Sequence, residues 1–227
     1  MSMIRFDRVS KRYPGGRAAL RELTFEIARG EMVFLTGHSG AGKSTLLRLL
    51  LMLERASRGQ VLLDGRNLSQ TPDRLAPAVR RGVGMIFQDH KLLADKTVFD
   101  NVALPLMIAG ERYADIRKRV RGALKMVGLA DRERAWPLAL SGGEQQRVGV
   151  ARAVVAMPPV LLADEPTGNL DPELSLELFG LFRTLNQRGV TVLVASHDLD
   201  LVRRMRRRVL VLSEGRLVDD VVPGAVA

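Results

Sequence analysis

Three short stretches of this chain carry residue types whose spacing can do chemistry. Gly37-His38-Ser39-Gly40-Ala41-Gly42-Lys43-Ser44, followed by Thr45, fits the pattern G-x-x-x-x-G-K-[ST]. Glycines so placed let a loop turn its backbone N–H groups inward around phosphate oxygens. Lys43 then reaches the β- and γ-phosphates and Ser44 offers its hydroxyl to Mg²⁺. A helix starting there adds the positive end of its dipole. Val160-Leu161-Leu162-Ala163-Asp164-Glu165 is an apolar strand run ending in two carboxylates. Asp164 is placed to hold the metal, directly or through water, and Glu165 to polarise an attacking water. Leu140-Ser141-Gly142-Gly143-Glu144-Gln145-Gln146-Arg147 puts a glycine pair at the opening of a helix, a second anion-binding end distant in sequence from the first.

These groups need elements to hold them. The apolar run from Glu31 to Thr36 predicts a buried strand that ends in the glycine-rich loop, and a helix follows from Lys43 to about Leu53. Upstream, Ile4 and Phe6 alternate with polar residues, Tyr13-Pro14-Gly15-Gly16 marks a turn, and Leu23, Phe25 and Ile27 alternate again. Further strands are expected over 60–63, closed by Asp64-Gly65, and over 83–87, leading into Gln88. From about Thr97 to Ala156 the spacing is helical. Ile116, Val120, Leu124 and Val127 fall three or four apart, with Gly128 and Trp136-Pro137 as punctuation. Strand signals return at 160–163, at 191–195 before His197, and at 209–212. The expected fold class is α/β, with residues 1–227 as one domain. Residues 1–88 and 158–227 form a nucleotide-binding core, and 89–157 form a helical insert.

At 227 residues and 25.0 kDa the chain is long enough to bury about 70% of its unfolded surface. Hydrophobic residues at 46% and charged residues at 26% exclude wholesale disorder. The absence of cysteine excludes a disulfide framework, a zinc knuckle and a thiol nucleophile. No apolar run approaches the roughly 20 residues of a spanning helix, and the first residues lack a secretory h-region. A soluble, cytoplasmic protein is therefore expected. The formal charge is +10, from 35 basic against 25 acidic residues. It favours anionic partners: nucleic acid, an anionic membrane surface or nucleotides. The densest basic clusters span 203–208 and 112–121.

The order and spacing of these motifs, over essentially the whole chain, resemble the nucleotide-binding subunit of ATP-binding cassette (ABC) transporters. That resemblance implies an ABC-type P-loop ATPase core: a mixed sheet with helices, an antiparallel β subdomain, and an inserted α-helical signature subdomain. It implies that Tyr13 stacks on adenine, that Gln88 contacts Mg²⁺ or water and links ATP to a membrane partner, and that Glu165 is the general base. His197 would read the γ-phosphate. Ser141, Gly142 and Gly143 would cap the γ-phosphate of ATP held by the opposite subunit. Two chains would then enclose two ATP molecules head to tail, with Asn169 and Asp171 in a loop crossing the homodimer interface.

Within that family, residues 37–42, 85–90, 97–106 and 145–152 resemble the FtsE type, the bacterial cell-division branch. Lipoprotein-release and macrolide-export ATPases share 163–171, but typically lack His38 and carry arginine at 145 and alanine at 149. The cell-division branch implies a polytopic membrane subunit of the FtsX type, received near Gln88 and the stretch from Leu92 to Leu106. It further implies control of peptidoglycan hydrolases, contact with other cell-division proteins, and a peripheral place on the inner face of the cell membrane against anionic lipid. No nucleic-acid partner is expected, since Lys43 and Leu140 lie only 97 positions apart. Nucleic-acid-dependent cassettes place a long coiled coil or zinc insert there. Met52, where the family often has a small residue, and Ala56, where proline is common, are expected to alter packing rather than chemistry.

Overall fold

The structure, a computed structural model, describes residues 1–16, 18–168 and 170–222. In chain order the first half holds β1 (Ser2–Arg12), β2 (Ala18–Ala28), β3 (Met32–Thr36), α1 (Lys43–Leu50), β4 (Arg58–Leu63), β5 (Arg66–Asn67), α2 (Ala76–Arg81), β6 (Val83–Ile86) and α3 (Val98–Ile108). The second half holds α4 (Tyr113–Met126), α5 (Gly142–Val154), β7 (Val160–Asp164), α6 (Pro172–Gln187), β8 (Thr191–Ala195), α7 (Leu199–Met205), β9 (Arg208–Ser213) and β10 (Arg216–Val221). The chain divides into two compact units, residues 1–80 with 182–227, and residues 81–181. The expected helical insert, 89–157, falls within the second.

The first unit contains an antiparallel sheet ordered β2-β1-β4-β5. Its alternation of buried and exposed residues is the period-2 signal of a sheet with one face covered. Phe6 and Phe25 are cross-strand partners with rings stacked at 4.7 Å. A second group of strands runs β10-β9-β3-β8, in which β3 is parallel to both β8 and β9, while β10 returns antiparallel to β9. All five residues of β3 and all five of β8 are buried, as a parallel strand covered on both faces requires. Leu35 pairs with Ala195, so the loop beginning at Gly37 and the segment carrying His197 leave the same sheet edge.

Helix α1 is shorter than its apolar pattern suggests, ending at Leu50 rather than near Leu53. Met52 sits in the left-handed region with φ 50°, and the Leu53 and Glu54 N–H groups both turn back to the Arg48 carbonyl. Glycine is the usual residue at such a helix end. Here the Met52 side chain is buried (6% exposed) and the conformation costs about 1–2 kcal/mol. Arg80 compensates, its guanidinium donating to the Leu51 and Met52 carbonyls, each at 2.9 Å.

In the second unit, β6 and β7 pair in parallel with Ile86 opposite Ala163. Helices α3, α4 and α5 pack on one another, and Ile116, Val120 and Leu124 form the buried stripe of α4 that their spacing predicts. Helix α5 lies directly on β6. A Cβ on Gly84 would come within 2.4 Å of the Ala153 carbonyl oxygen, so only glycine permits this approach. Much of the basic character is spent on internal pairs. Arg121 binds Glu133 through two hydrogen bonds of 3.0 Å, and Arg208 holds Asp220 bidentately at 2.7 Å while reaching Glu31 at 3.0 Å. Among the described residues no helix is long and apolar enough to cross a membrane.

Candidate active site

The glycine-rich loop joins β3 to α1 and is shaped by close backbone contacts. Gly37 and Gly42 have φ of 143° and 111°. A Cβ would approach the Leu212 carbonyl oxygen to 2.2 Å at Gly37 and the Ala19 carbonyl oxygen to 2.7 Å at Gly42. Lys43 is nearly buried and arches back over its own loop, its Nζ donating to the Gly37 carbonyl at 2.7 Å and lying 3.4 Å from that of His38. The cation is thereby held over its own loop, beside backbone of the glycine-rich kind whose N–H groups can receive polyphosphate. His38 is exposed, and its Nδ1–H donates to the Ser39 carbonyl at 2.8 Å. Ser44 is exposed at the first turn of α1.

Beside the loop lies a cleft of about 1050 Å³, lined by His38, Ser39 and Gly40 on one side and by Ser10, Arg12 and Arg58 of the antiparallel sheet on the other. Tyr13 follows Arg12 of the cleft wall and is contacted from two sides. The Lys11 ammonium sits 4.9 Å from its ring centroid, and its hydroxyl is 3.4 Å from that of Thr45. Lys11 is itself anchored to Glu54 at 2.6 Å. One face of the ring is therefore occupied by a cation. On the same unit, His197 is exposed between β8 and α7. Its neighbours are pinned: the Ser196 N–H donates to the Leu35 carbonyl at 3.1 Å, and Asp198 caps α7 by accepting from the Leu201 N–H at 3.0 Å.

In the second unit, Gln88 is exposed just past β6, while Asp164 and Glu165, both half-buried, end β7. Glu165 has a left-handed backbone, φ 48°, which non-glycine residues rarely adopt. Ser141 caps α5 in a reciprocal box. Its hydroxyl accepts from the Glu144 N–H at 3.2 Å, while its own N–H donates to the Glu144 carboxylate at 2.9 Å. That backbone hydrogen bond, aided by Arg132 nearby, holds the Glu144 carboxyl below the usual carboxylate range. A Cβ on Gly142 would meet nothing within 4 Å, whereas one on Gly143 would touch Leu174 at 3.2 Å. The helix end is therefore open at Gly142 and closed behind Gly143. Asp171 caps α6, accepting from the Leu174 N–H at 2.9 Å. Asn169 lies outside the described residues.

The model of the ABC transporter family matches residues 20–168, which take in the glycine-rich loop, Gln88, the Ser141 helix start and both carboxylates. A curated relative from Escherichia coli K12, the cell division ATP-binding protein FtsE, is 58% identical over 215 residues, covering 95% of this chain and 97% of the relative. The chain belongs to the ABC transporter ATPases of the FtsE type. The FtsE of Bacillus subtilis is 44% identical over 218 residues, 96% of each chain. Among solved structures, the dimeric post-hydrolysis state of the ATP-binding cassette MJ0796, bound to ADP and Pi, superposes with a TM-score of 0.92. It is 33% identical and is covered over 99% of this chain and 100% of that one. The α/β fold with its mixed and antiparallel sheets is that of an ABC cassette.

Several residues that organise this FtsE-type ATPase were not singled out from sequence. Asn101, fully buried on α3, donates to the carbonyls of Leu93, Lys96 and Thr97 at 3.0–3.1 Å and accepts from the Leu93 N–H at 2.8 Å. It fixes the segment that follows Gln88. Gln146 (2% exposed) and the guanidinium of Arg152 hold the same segment from α5. The available signal was a polar residue falling on an otherwise apolar helix stripe, as Asn101 does between Val98 and Val102.

Proposed function

We propose that this chain is the ATP-hydrolysing subunit of an FtsEX-type complex acting in bacterial cell division. The observation that carries the reading is the 58% identity to a cell division FtsE over nearly the full length of both chains, together with a complete set of ATPase motifs. The backbone N–H groups of 37–45 and the Lys43 ammonium bind the phosphates, and Tyr13 offers its free ring face to adenine. The Glu165 carboxylate orients the attacking water and accepts its proton, and His197 contacts the γ-phosphate. Ser141, Gly142 and Gly143 serve the ATP of the opposite subunit in a head-to-tail homodimer, whose interface includes Asn169 and Asp171. Ser44, Gln88 and Asp164 present hard oxygen donors of the kind Mg²⁺ prefers. The ion, when bound, offsets phosphate charge during transfer.

Closure of that dimer moves a polytopic membrane subunit of the FtsX type, whose far side controls peptidoglycan hydrolases. The chain then sits as one ABC ATPase domain, with 89–157 as its helical subdomain, on the inner face of the cell membrane. Exposed arginines face anionic lipid there, at about 1 kcal/mol each close to the surface. Other cell-division proteins join the assembly, and nucleic acid is not a partner.

The test is affinity purification of the Glu165→Gln variant from native membranes with ATP present. This variant is expected to bind ATP normally while hydrolysing it about 10²–10⁴-fold more slowly, the usual cost of losing a general base. Recovery of an FtsX-like membrane protein supports the reading. A lipoprotein-release or exporter subunit in its place moves the function to transport, and nucleic acid without membrane protein overturns the cell-division assignment.

A further inference from the structure

We infer that Gln146 is a positioning residue for hydrolysis, tying the loop after Gln88 to the backbone that carries Glu165. The inference rests on the reading of Glu165 as general base.

Three segments of the second unit meet at this one buried amide. Gln146 Nε2 donates to the Pro166 carbonyl at 2.7 Å. A carbonyl can only accept, so the amide group facing Pro166 is its NH₂ and the orientation of the side chain is set. Its Oε1 therefore faces His90 Nδ1 and accepts a hydrogen bond from it, which fixes the proton on that ring nitrogen. One side chain thus bridges the segment two residues past Gln88 and the residue immediately after Glu165.

Both ends of the bridge are backbone segments that do not hold their shape unaided. His90 and Lys91 are consecutive left-handed residues, φ 58° and 49°, and Glu165 is left-handed at 48°. Such conformations at non-glycine residues persist where surrounding contacts over-determine them. The Arg152 guanidinium supplies two such contacts, donating to the His90 carbonyl at 2.5 Å and the Lys91 carbonyl at 2.7 Å. Gln146 supplies another, and of these two side chains it is the one that also reaches Pro166. A displacement of the exposed loop at 88–91 is therefore passed through the amide to the peptide adjoining Glu165. The Glu165 carboxylate is in its working position only while that loop is in its own.

The experiment uses the full chain with the membrane subunit that copurifies, comparing His90→Ala, Gln146→Ala, the double variant and His90→Asn. Each alanine variant is expected to lower kcat about tenfold or more, with KM for ATP unchanged, as misplacement of a catalytic group does. The double variant should be no slower than Gln146→Ala, since the two act through one connection. His90→Asn should recover most of the rate, because its amide N–H stands where Nδ1–H stood. Deuterium uptake at 165–168 should rise in His90→Ala and return to the parent level in His90→Asn. Parent-like or additive rates, or unchanged uptake at 165–168 in His90→Ala, would overturn the inference. Glu165→Gln is measured alongside. If it hydrolyses ATP at the parent rate, the base assignment fails and the uptake comparison alone decides the connection. If it is inactive while uptake is unchanged, the connection fails alone. His90 is only half-buried, so the His90→Ala and His90→Asn pair decides even if Gln146→Ala does not fold.

Discussion

Gln88 and Glu165 stand at the same offset beyond a matched pair: each lies two residues past Ile86 and Ala163, which are partners in the parallel β6–β7 ladder. Neighbouring strands are about 4.8 Å apart, so the segments carrying the amide and the carboxylate start from adjacent points on one sheet edge. The first unit repeats the device, with Gly37 and His197 each two residues past the Leu35–Ala195 pair. Parallel strands in register thus convert residues far apart in sequence into neighbours at the carboxyl ends, where ligands bind in open α/β sheets.

The glycines at 37 and 42 are irreplaceable for different reasons from those at 142. Gly37→Ala and Gly42→Ala each drive a methyl group into a backbone carbonyl. Both variants should lose nucleotide affinity at least tenfold and melt at lower temperature, measured by calorimetric titration with ATP and by thermal scanning.

Gly142→Ala is expected to separate stability from function. Its methyl group enters open space, and alanine is favoured over glycine in a helix by about 1 kcal/mol. The melting temperature should hold or rise. ATP-dependent dimerisation, followed by size exclusion in the Glu165→Gln background, should weaken because the added methyl group covers the open helix end. Normal dimerisation would remove Gly142 from the interface.

The capping box gives stability a defined pH dependence. Glu144 has a carboxyl held below its ordinary value by the Ser141 N–H. Its contribution is therefore fully present above the ordinary carboxylate range and is lost as pH falls through the depressed folded value. Urea unfolding at stepped pH should show this acid loss in the parent protein and a shallower one in Glu144→Gln.

Asn101→Leu removes four side-chain hydrogen bonds: the Leu93 N–H loses its acceptor and the Lys96 carbonyl its side-chain donor, while the Leu93 and Thr97 carbonyls keep only their backbone donors. A loss of about 3 kcal/mol is expected by denaturant unfolding. Hydrogen exchange should speed up over 91–97 before it does elsewhere. Uniform exchange across the unit would show that Asn101 does not organise that segment.

The strands β3, β7 and β8 were legible because uninterrupted apolar runs have few other readings, and the loops that follow them carry motifs. Other features had weaker signals. The end of α1 depends on a left-handed methionine, which no residue preference announces, and β10 is an exposed edge strand with little alternation. Helices α6 and α7 and the short α2 have no counterpart among the sequence expectations. For α6 the Asp171-Pro172 cap and the leucines at 174, 178, 181 and 185 were a readable signature. The meeting of His90, Gln146 and Pro166 could not be read at all, since the fold brings them together and no spacing encodes it.

The close seat of α5 on Gly84 puts the tightest contact of the helix near one end, so a tilt about that contact would be magnified at the other. The contact lies at Ala153, near the carboxyl end, while Gly142 is at the far tip. Eleven residues at 1.5 Å each give an arm of about 16 Å, so a tilt of about 10° about that point swings the tip by about 3 Å. A side chain at position 84 would lift the base of the helix off the strand and remove that close contact. The single missing Cβ in β6 thus places the closest contact of α5 near one end, which leaves the Ser141 end as the long arm of any tilt.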